Sequence, residues 1–510
     1  MSLGRGFLTV GGMTLISRIL GLGREIIIAA SLGATDTADA FYAAFRMPNL
    51  FRRIFAEGAF SVAFVPLFTK SLTDGGDKAR RFGEEALAML ASALFVVTLI
   101  ATLGMPVLML ALAAGFTSEP EKYDTAVLLA RIMFPYLMLV SLTALFSAVL
   151  NALGRFAVAA GAPILLNIFV ISLSGLALWM GWRVEIWLAV GVTLSGFAQL
   201  ALVAGAARKA GMRFTLRRPR LTPDMRRLLR LAAPAALAGG AMQINLMIGS
   251  VIASFFDGVV AWMTYADRLY QLPLGVVGVA VGIVLMPDLS RRVKLGDAAG
   301  ASHSMNRSAE FALALTLPAT VALVLVPVEI ARAVFERGAY TAFDAQQTGL
   351  AAALFALGLP AFVLNKTLTP AFFAAEDSRT PLRLSLWAMG INTVLALAGA
   401  FTIGWIAIPV ATAFAAWVNT IWLWLLLHRR GYAMDARLAH RLPRMALASI
   451  AMGVVLWASA QAASGWFESG WARVPALLGL VMLGMASYAV AARLMGAFTL
   501  AELKAGLRRT

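Results

Sequence analysis

Five arginines, Arg18, Arg24, Arg46, Arg52 and Arg53, fall within residues 16–60, ISRILGLGREIIIAASLGATDTADAFYAAFRMPNLFRRIFAEGAF. They lie in or between two strongly apolar segments. A guanidinium is planar and permanently charged, and it grips phosphate or carboxylate through paired hydrogen bonds. At the centre of a membrane helix one arginine costs roughly 2.5–3.5 kcal/mol on insertion scales. Five facing lipid would cost on the order of 10–15 kcal/mol. Such a cluster belongs in a wet cavity that receives something anionic. Spread over several helices, it suits a large polyanionic headgroup better than one small anion.

Helical spacing sorts these residues into lines, because positions seven apart share nearly one face. Arg18 and Glu25 have that spacing, as do Asp39, Arg46 and Arg53, and Glu57 follows Arg53 at i+4. Asp39–Arg46–Arg53–Glu57 is thus one expected polar stripe, bent at Pro48. Arg24 and Arg52 sit off these lines and are expected to reach further into the cavity. Gly21 and Gly23 predict a bent first span whose freed backbone borders water or protein. Ion pairing is the competing reading: Arg24 with Glu25 or Glu57, and Arg53 with Glu57, would account for both glutamates but cannot neutralise five arginines. Further on, YADRLYQLP carries Asp267 and Arg268, one residue out of register with Arg46. Arg268 is expected to face the same cavity from the other half of the chain, with an Asp267–Arg268 clamp as the alternative. Gly275, Gly278 and Gly282 make a small-residue face suited to close helix packing. Lys366 either lines the cavity or snorkels to an edge.

The elements that must hold these residues are membrane helices. The chain has 510 residues, 60% hydrophobic and 14% charged, with mean hydropathy +0.81. A soluble protein of this length needs a far more charged surface. The apolar runs are long and show no period-2 alternation, which excludes a β-barrel and predicts an all-α polytopic membrane protein. About fourteen spans are expected, near 8–32, 37–68, 84–114, 124–150, 158–181, 186–206, 228–255, 259–287, 308–334, 346–372, 382–402, 404–427, 443–463 and 474–495. With both termini cytoplasmic, 30 Lys and Arg fall on the cytoplasmic side, and the outer loops hold only Lys122, Arg183, Arg337 and Arg473. That asymmetry sets the orientation. It also explains the net charge of +17 as inner-face topology and contact with anionic membrane lipids, not nucleic-acid binding. The absence of cysteine excludes disulfides, thiolate metal sites and a cysteine nucleophile.

The chain reads as a duplication offset by about 220–225 residues. AFVPLFTKS matches VLMPDLSRR, aligning Pro66 with Pro287; Pro135 aligns with Pro360, and Asn167 with Asn392. An even number of spans per repeat makes the halves parallel, related by an axis along the membrane normal. The expected organisation is a first lobe at 1–207, a basic cytoplasmic linker at 208–227, a second lobe at 228–432, and two extra spans with a tail at 433–510. Each lobe holds six helices.

SRILGLGRE, TDTADAFYAAFRMPNLFRRIFAEGAFSVAFVPLF and WMTYADRLYQLPLGVVGVAVGIVLMP closely resemble the MurJ (MviN) lipid II flippases of the multidrug/oligosaccharidyl-lipid/polysaccharide exporter superfamily. The resemblance spans essentially the whole chain. It implies two six-helix lobes around a cationic cavity, with a lipid-facing groove beside the last two helices. The implied substrate is lipid II, the undecaprenyl-pyrophosphate-linked disaccharide-pentapeptide of peptidoglycan, moved across the bacterial cytoplasmic (inner) membrane by alternating access. Other cell-wall synthesis proteins are implied partners. Arg18, Arg24, Asp39, Arg52, Arg53, Glu57 and Arg268 match motif positions that matter in the family. Two departures stand out: Glu25 replaces the Asp of many relatives, and Ala261 replaces a cavity Ser. Export of another polyprenyl-linked glycan or an amphipathic drug is the alternative, although a cationic drug would call for acids in the cavity. A polyprenyl-phosphate enzyme would need clustered acids for Mg²⁺ or a histidine base; Asp74, Asp77, Glu84 and Glu85 are scattered. No cofactor or metal is expected.

Overall fold

The computed structural model describes residues 3–52 and 61–497. Among these, every regular element is helical. Nine segments are long and apolar enough to cross a membrane, among the described residues. Over the described residues, each of the fourteen expected spans coincides with one helix or with consecutive helices. The chain divides into two compact units, Met1–Ala261 and Trp262–Thr510.

The first unit contains α1 (Leu3–Leu32), α2 (Asp36–Arg52), α3 (Ser61–Thr73), α4 (Gly76–Leu103), α5 (Met105–Leu112), α6 (Pro120–Met133), α7 (Tyr136–Ala152), α8 (Phe156–Met180), α9 (Val184–Lys209) and α10 (Pro223–Ala253). α8 packs on both α9 and α1, and α2 lies along α6. An aromatic stack of Phe64, Phe68 and Phe82 joins α3 to α4, with ring centroids 5.2 and 5.6 Å from Phe64. Burying such rings removes a large apolar area from water and adds a specific stacking geometry.

α1 differs from expectation. It runs unbroken from Leu3 to Leu32 through Gly21 and Gly23. The side-chain amide of Asn167, on α8, donates to the Ser17 carbonyl at 3.0 Å. A Cβ on Gly21 would sit 3.9 Å from that amide. At that distance a side chain would be accommodated, so the bond ties α1 to α8 beside Gly21 without depending on the glycine.

The second unit begins within α11 (Val259–Lys294), followed by α12 (Ala298–Leu325), α13 (Pro327–Phe335), α14 (Ala342–Ala356), α15 (Leu359–Ala374), α16 (Arg379–Ile403), α17 (Ala407–Arg429), α18 (Ala436–Ala462), α19 (Ser464–Glu468) and α20 (Arg473–Leu494). α18 packs between α12 and α20. Glu310 on α12 is buried. It binds Arg307, Arg437 and Arg441, the last at 2.5 Å. Asp435 receives the Leu438 N–H at 2.8 Å and caps α18. At the far end, Arg473 on α20 meets Glu336 at 2.8 Å.

The internal repeat is visible in where helices break. α6 gives way to α7 at Pro135, and α14 gives way to α15 just before Pro360. A third pair joins these: α5 opens at Met105–Pro106, and α13 opens at Pro327. Proline lacks the N–H that would continue the ladder, so each forces a new helix start. The repeat and the packing divide the chain differently, however. Repetition and the expected lobe boundary place α10 with the second half, yet it packs on α3, α4 and α5 of the first.

Candidate functional site

α1 and α2 carry the cationic cluster. Arg24 is 8% exposed. Its Nη2 donates to Glu25 Oε1 at 2.6 Å, and its guanidinium lies 5.7 Å from the centre of the Phe45 ring. Glu25 is buried in turn and accepts from the Tyr42 hydroxyl at 2.8 Å. The crevice they share with Ile28, Phe41, Val170 and Val192 has no room for a water-sized sphere. Of the two readings of Arg24, reach into a cavity and pairing with Glu25, the described contacts contain the pair. The pair does not saturate the arginine. A guanidinium has five N–H donors, and among the described residues Arg24 spends one of them.

The other arginines of the cluster are placed as follows. Arg18 is exposed on α1 and makes no ion pair among the described residues. Arg46 and Arg52 are half-buried on α2. Arg53 and Glu57 lie outside the described residues. Pro48 stays within α2, where the Asn49 amide donates to the Phe45 carbonyl at 3.1 Å. In the second unit, Arg268 and Asp267 are half-buried on α11. The Asp267 carboxylate accepts from Gln271 one turn on. Lys366 is exposed on α15.

Asp39 departs from the expected stripe. It is fully buried and turns to Lys122, whose Nζ is 3.3 Å away. It also accepts the backbone N–H groups of Gly258 and Ala261 at 2.9 and 2.8 Å. These N–H groups open α11, so Asp39 acts as a helix cap supplied from elsewhere in the chain, with its charge at the favourable end of the helix dipole. The bond uses the Ala261 backbone, so no hydroxyl is needed at that position.

Lys122 was placed by sequence only as a loop cation. The structure makes it a buried ammonium ringed by four acids, of which Asp39 is buried and the other three reach the surface. Besides Asp39, its ammonium meets Asp36 at 2.8 Å, Asp257 at 3.2 Å and Glu119 at 3.9 Å, with the Phe116 ring centre 5.0 Å away. Burial raises the Asp257 carboxyl, and the Lys122 hydrogen bond and charge outweigh it, leaving Asp257 below its ordinary value. Asp36, Glu119 and Asp257 are close enough together to ligate a cation. The Lys122 ammonium lies among them. The only sequence signal was a lysine beside Glu119 and Glu121; its main partners are distant in the chain.

The matching position of the second unit is Asp344, 222 residues beyond Lys122. Asp344 accepts the Trp262 indole N–H at 3.0 Å. Its other oxygen takes the N–H and hydroxyl of Thr341, both at 2.9 Å, closing a capping box on α14.

A two-unit, proline-broken helical fold with buried arginine near one end of the chain defines a class: multi-pass helical transporters. Solved structures agree at the level of fold. One described as lipid II flippase MurJ in an inward closed conformation superposes with TM-score 0.79 at 22% identity, covering 96% of this chain and 98% of that one. An inward-facing multidrug resistance MATE family transporter of the MOP superfamily gives TM-score 0.65 at 16% identity, covering 83% and 97%. The family model described as lipid II flippase MurJ matches residues 28–473. A probable lipid II flippase MurJ of Rhizobium tropici is 46% identical over 100% of this chain and 97% of its own length; one of Rhizobium meliloti is 43% identical over the same shares. The chain belongs to the lipid II flippase MurJ family.

Proposed function

We propose that this chain is a lipid II flippase. It carries the undecaprenyl-pyrophosphate-linked disaccharide-pentapeptide from the inner to the outer leaflet of the bacterial inner membrane, by alternating access. Family membership over nearly the whole chain supports the substrate. The observation that carries the mechanism is the buried Arg24 guanidinium, held by one acid and keeping most of its donors. In this reading Arg18, Arg24, Arg52, Arg53 and Arg268 hold pyrophosphate and peptide carboxylates. Glu25, Arg46, Glu57 and Asp267 set the positions and charge states of those arginines. Asp39 contributes by fixing the start of α11. Both termini face the cytoplasm, and the prenyl tail stays in lipid beside α18 and α20.

Permanent charge suits the task, because the site must bind the same anion whichever side it faces. A binder of cationic drugs needs a spare carboxylate. Asp36 and Asp39 are taken by Lys122, and Glu25 by Arg24 and Tyr42.

The test is translocation in vesicles holding the purified protein and defined lipid-linked donors, with and without a membrane potential. Lipid II is expected to move. Arg268→Glu is expected to abolish movement while the protein stays folded in the membrane. Movement of a different lipid-linked glycan but not lipid II would overturn the reading.

A further inference from the structure

The connector between α9 and α10 is fastened along one side and open along the other. Met212 and Phe214 pack on the apolar core of the first unit. The Phe214 ring stacks on Phe146 with centroids 5.7 Å apart. It lies so close to Gly83 that a Cβ there would come within 2.3 Å of the ring. Glu84 accepts the Thr215 N–H and hydroxyl at 3.1 and 2.9 Å, and binds Arg217 Nε at 2.5 Å. Thr222 donates to Glu85 at 2.7 Å and caps α10 through the Met225 N–H. Met225 and Leu228 continue the inward side as buried residues.

The rest of the connector and of the first turns of α10 is exposed, and it is cationic and apolar together. Arg213, Arg218, Arg220, Arg226, Arg227 and Arg230 are exposed and make no ion pair among the described residues. Between them, Leu216, Leu221, Leu229 and Leu231 are 72%, 56%, 44% and 51% exposed. Leu216 and Leu221 in the connector, with Leu229 and Leu231 on the first turns of α10, make an apolar run out of place on a surface that faces only water. At one end the connector continues α9, which is long and apolar enough to cross a membrane. It lies along the cytoplasmic side expected from the charge asymmetry.

We propose that this outward side is a binding surface for anionic phospholipid headgroups of the leaflet it borders. The arginines meet the phosphates, and the leucines enter the boundary between headgroups and acyl chains. Glu84 and Glu85 hold the connector so that both kinds of side chain face the bilayer. The charge pattern and the exposed leucines favour a lipid surface over an acidic protein, which would leave Leu216 and Leu221 without an apolar phase.

The chain has no cysteine, so a single introduced thiol reports one site. Full-length Leu221→Cys, carrying an environment-sensitive fluorophore, is reconstituted in vesicles of phosphatidylcholine alone or mixed with phosphatidylglycerol. Quenching by aqueous acrylamide is then read. Phosphatidylglycerol is expected to cut quenching several-fold, less so in high salt. Adding Arg213→Gln, Arg218→Gln, Arg220→Gln and Arg227→Gln is expected to remove that response with an unchanged unfolding temperature in detergent. Equal quenching in the two vesicles, or a phosphatidylglycerol response that survives the four substitutions, would overturn the proposal.

Discussion

Two corresponding places in the repeat are tied by different chemistry. In the first unit α2 and α6 meet through buried charges, Asp39 and Lys122. In the second, α11 and α14 meet through an indole N–H on a carboxylate, Trp262 and Asp344, with the Phe343 and Trp405 rings 5.7 and 5.9 Å from Trp262. The backbone architecture survives the exchange because both ties satisfy every strong group they bury. They differ in what failure costs. Removing one partner of a buried ion pair strands the other charge, whereas removing the indole donor leaves Asp344 bonded to Thr341.

That contrast sets an order of expected effects. Lys122→Met should be worst, with a loss of about 3–5 kcal/mol in denaturant unfolding of the detergent-solubilised protein. Adding Asp39→Asn to it should recover part of the loss by removing the stranded charge. A loss as small as that of a surface pair would break the comparison. Trp262→Phe removes the bond to a carboxylate, worth about 1.5–3 kcal/mol, and trims the indole to a smaller aromatic ring. If it equals or exceeds Lys122→Met, the two ties are energetically alike and the contrast fails. Gly83→Ala probes a crowded contact without charge: Phe214 must give way, at about 1–3 kcal/mol, and tryptic cleavage after Arg213 and Arg217 should accelerate.

An exposed ion pair completes the series. Arg430 meets Asp377 at 2.5 Å in the loop before α16. Its hydrogen bond, with those from Thr380, holds the Asp377 carboxyl well below its ordinary value. A depressed carboxylate contributes above its unfolded pKa and loses that contribution only as pH falls through the lower, folded value. Because the pair is solvent-screened, Arg430→Gln should change the unfolding temperature only a little at pH 7, and that small difference should vanish only in strong acid. A large effect at pH 7 would place this pair with the buried ties.

Much of this arrangement was legible beforehand. Long apolar runs located the helices, and Pro135 and Pro360 marked the broken ones, because a missing N–H acts locally. The Arg24–Glu25 pair was one of two open readings. The illegible part is what distant residues do. Asp39 and Arg46 share a helix face by spacing, yet the Asp39 carboxylate is taken by Lys122 and by two backbone groups more than two hundred residues on. Gly21 and Gly23 look like a break, but the helix continues through both. α10 belongs to the second repeat by sequence and to the first unit by packing, a choice set by tertiary contacts alone.

The proposed role of Arg24 as a binder of the transported anion is separable from its role as a counterion for Glu25. Arg24→Gln with Glu25→Gln replaces the pair by neutral groups of similar size, so neither charge is stranded. Lipid II translocation by this double variant in vesicles decides between the two roles. Anion binding by Arg24 predicts a folded protein whose rate falls roughly ten- to a hundredfold, the worth of one charge-assisted contact. Translocation at the unsubstituted rate would contradict it.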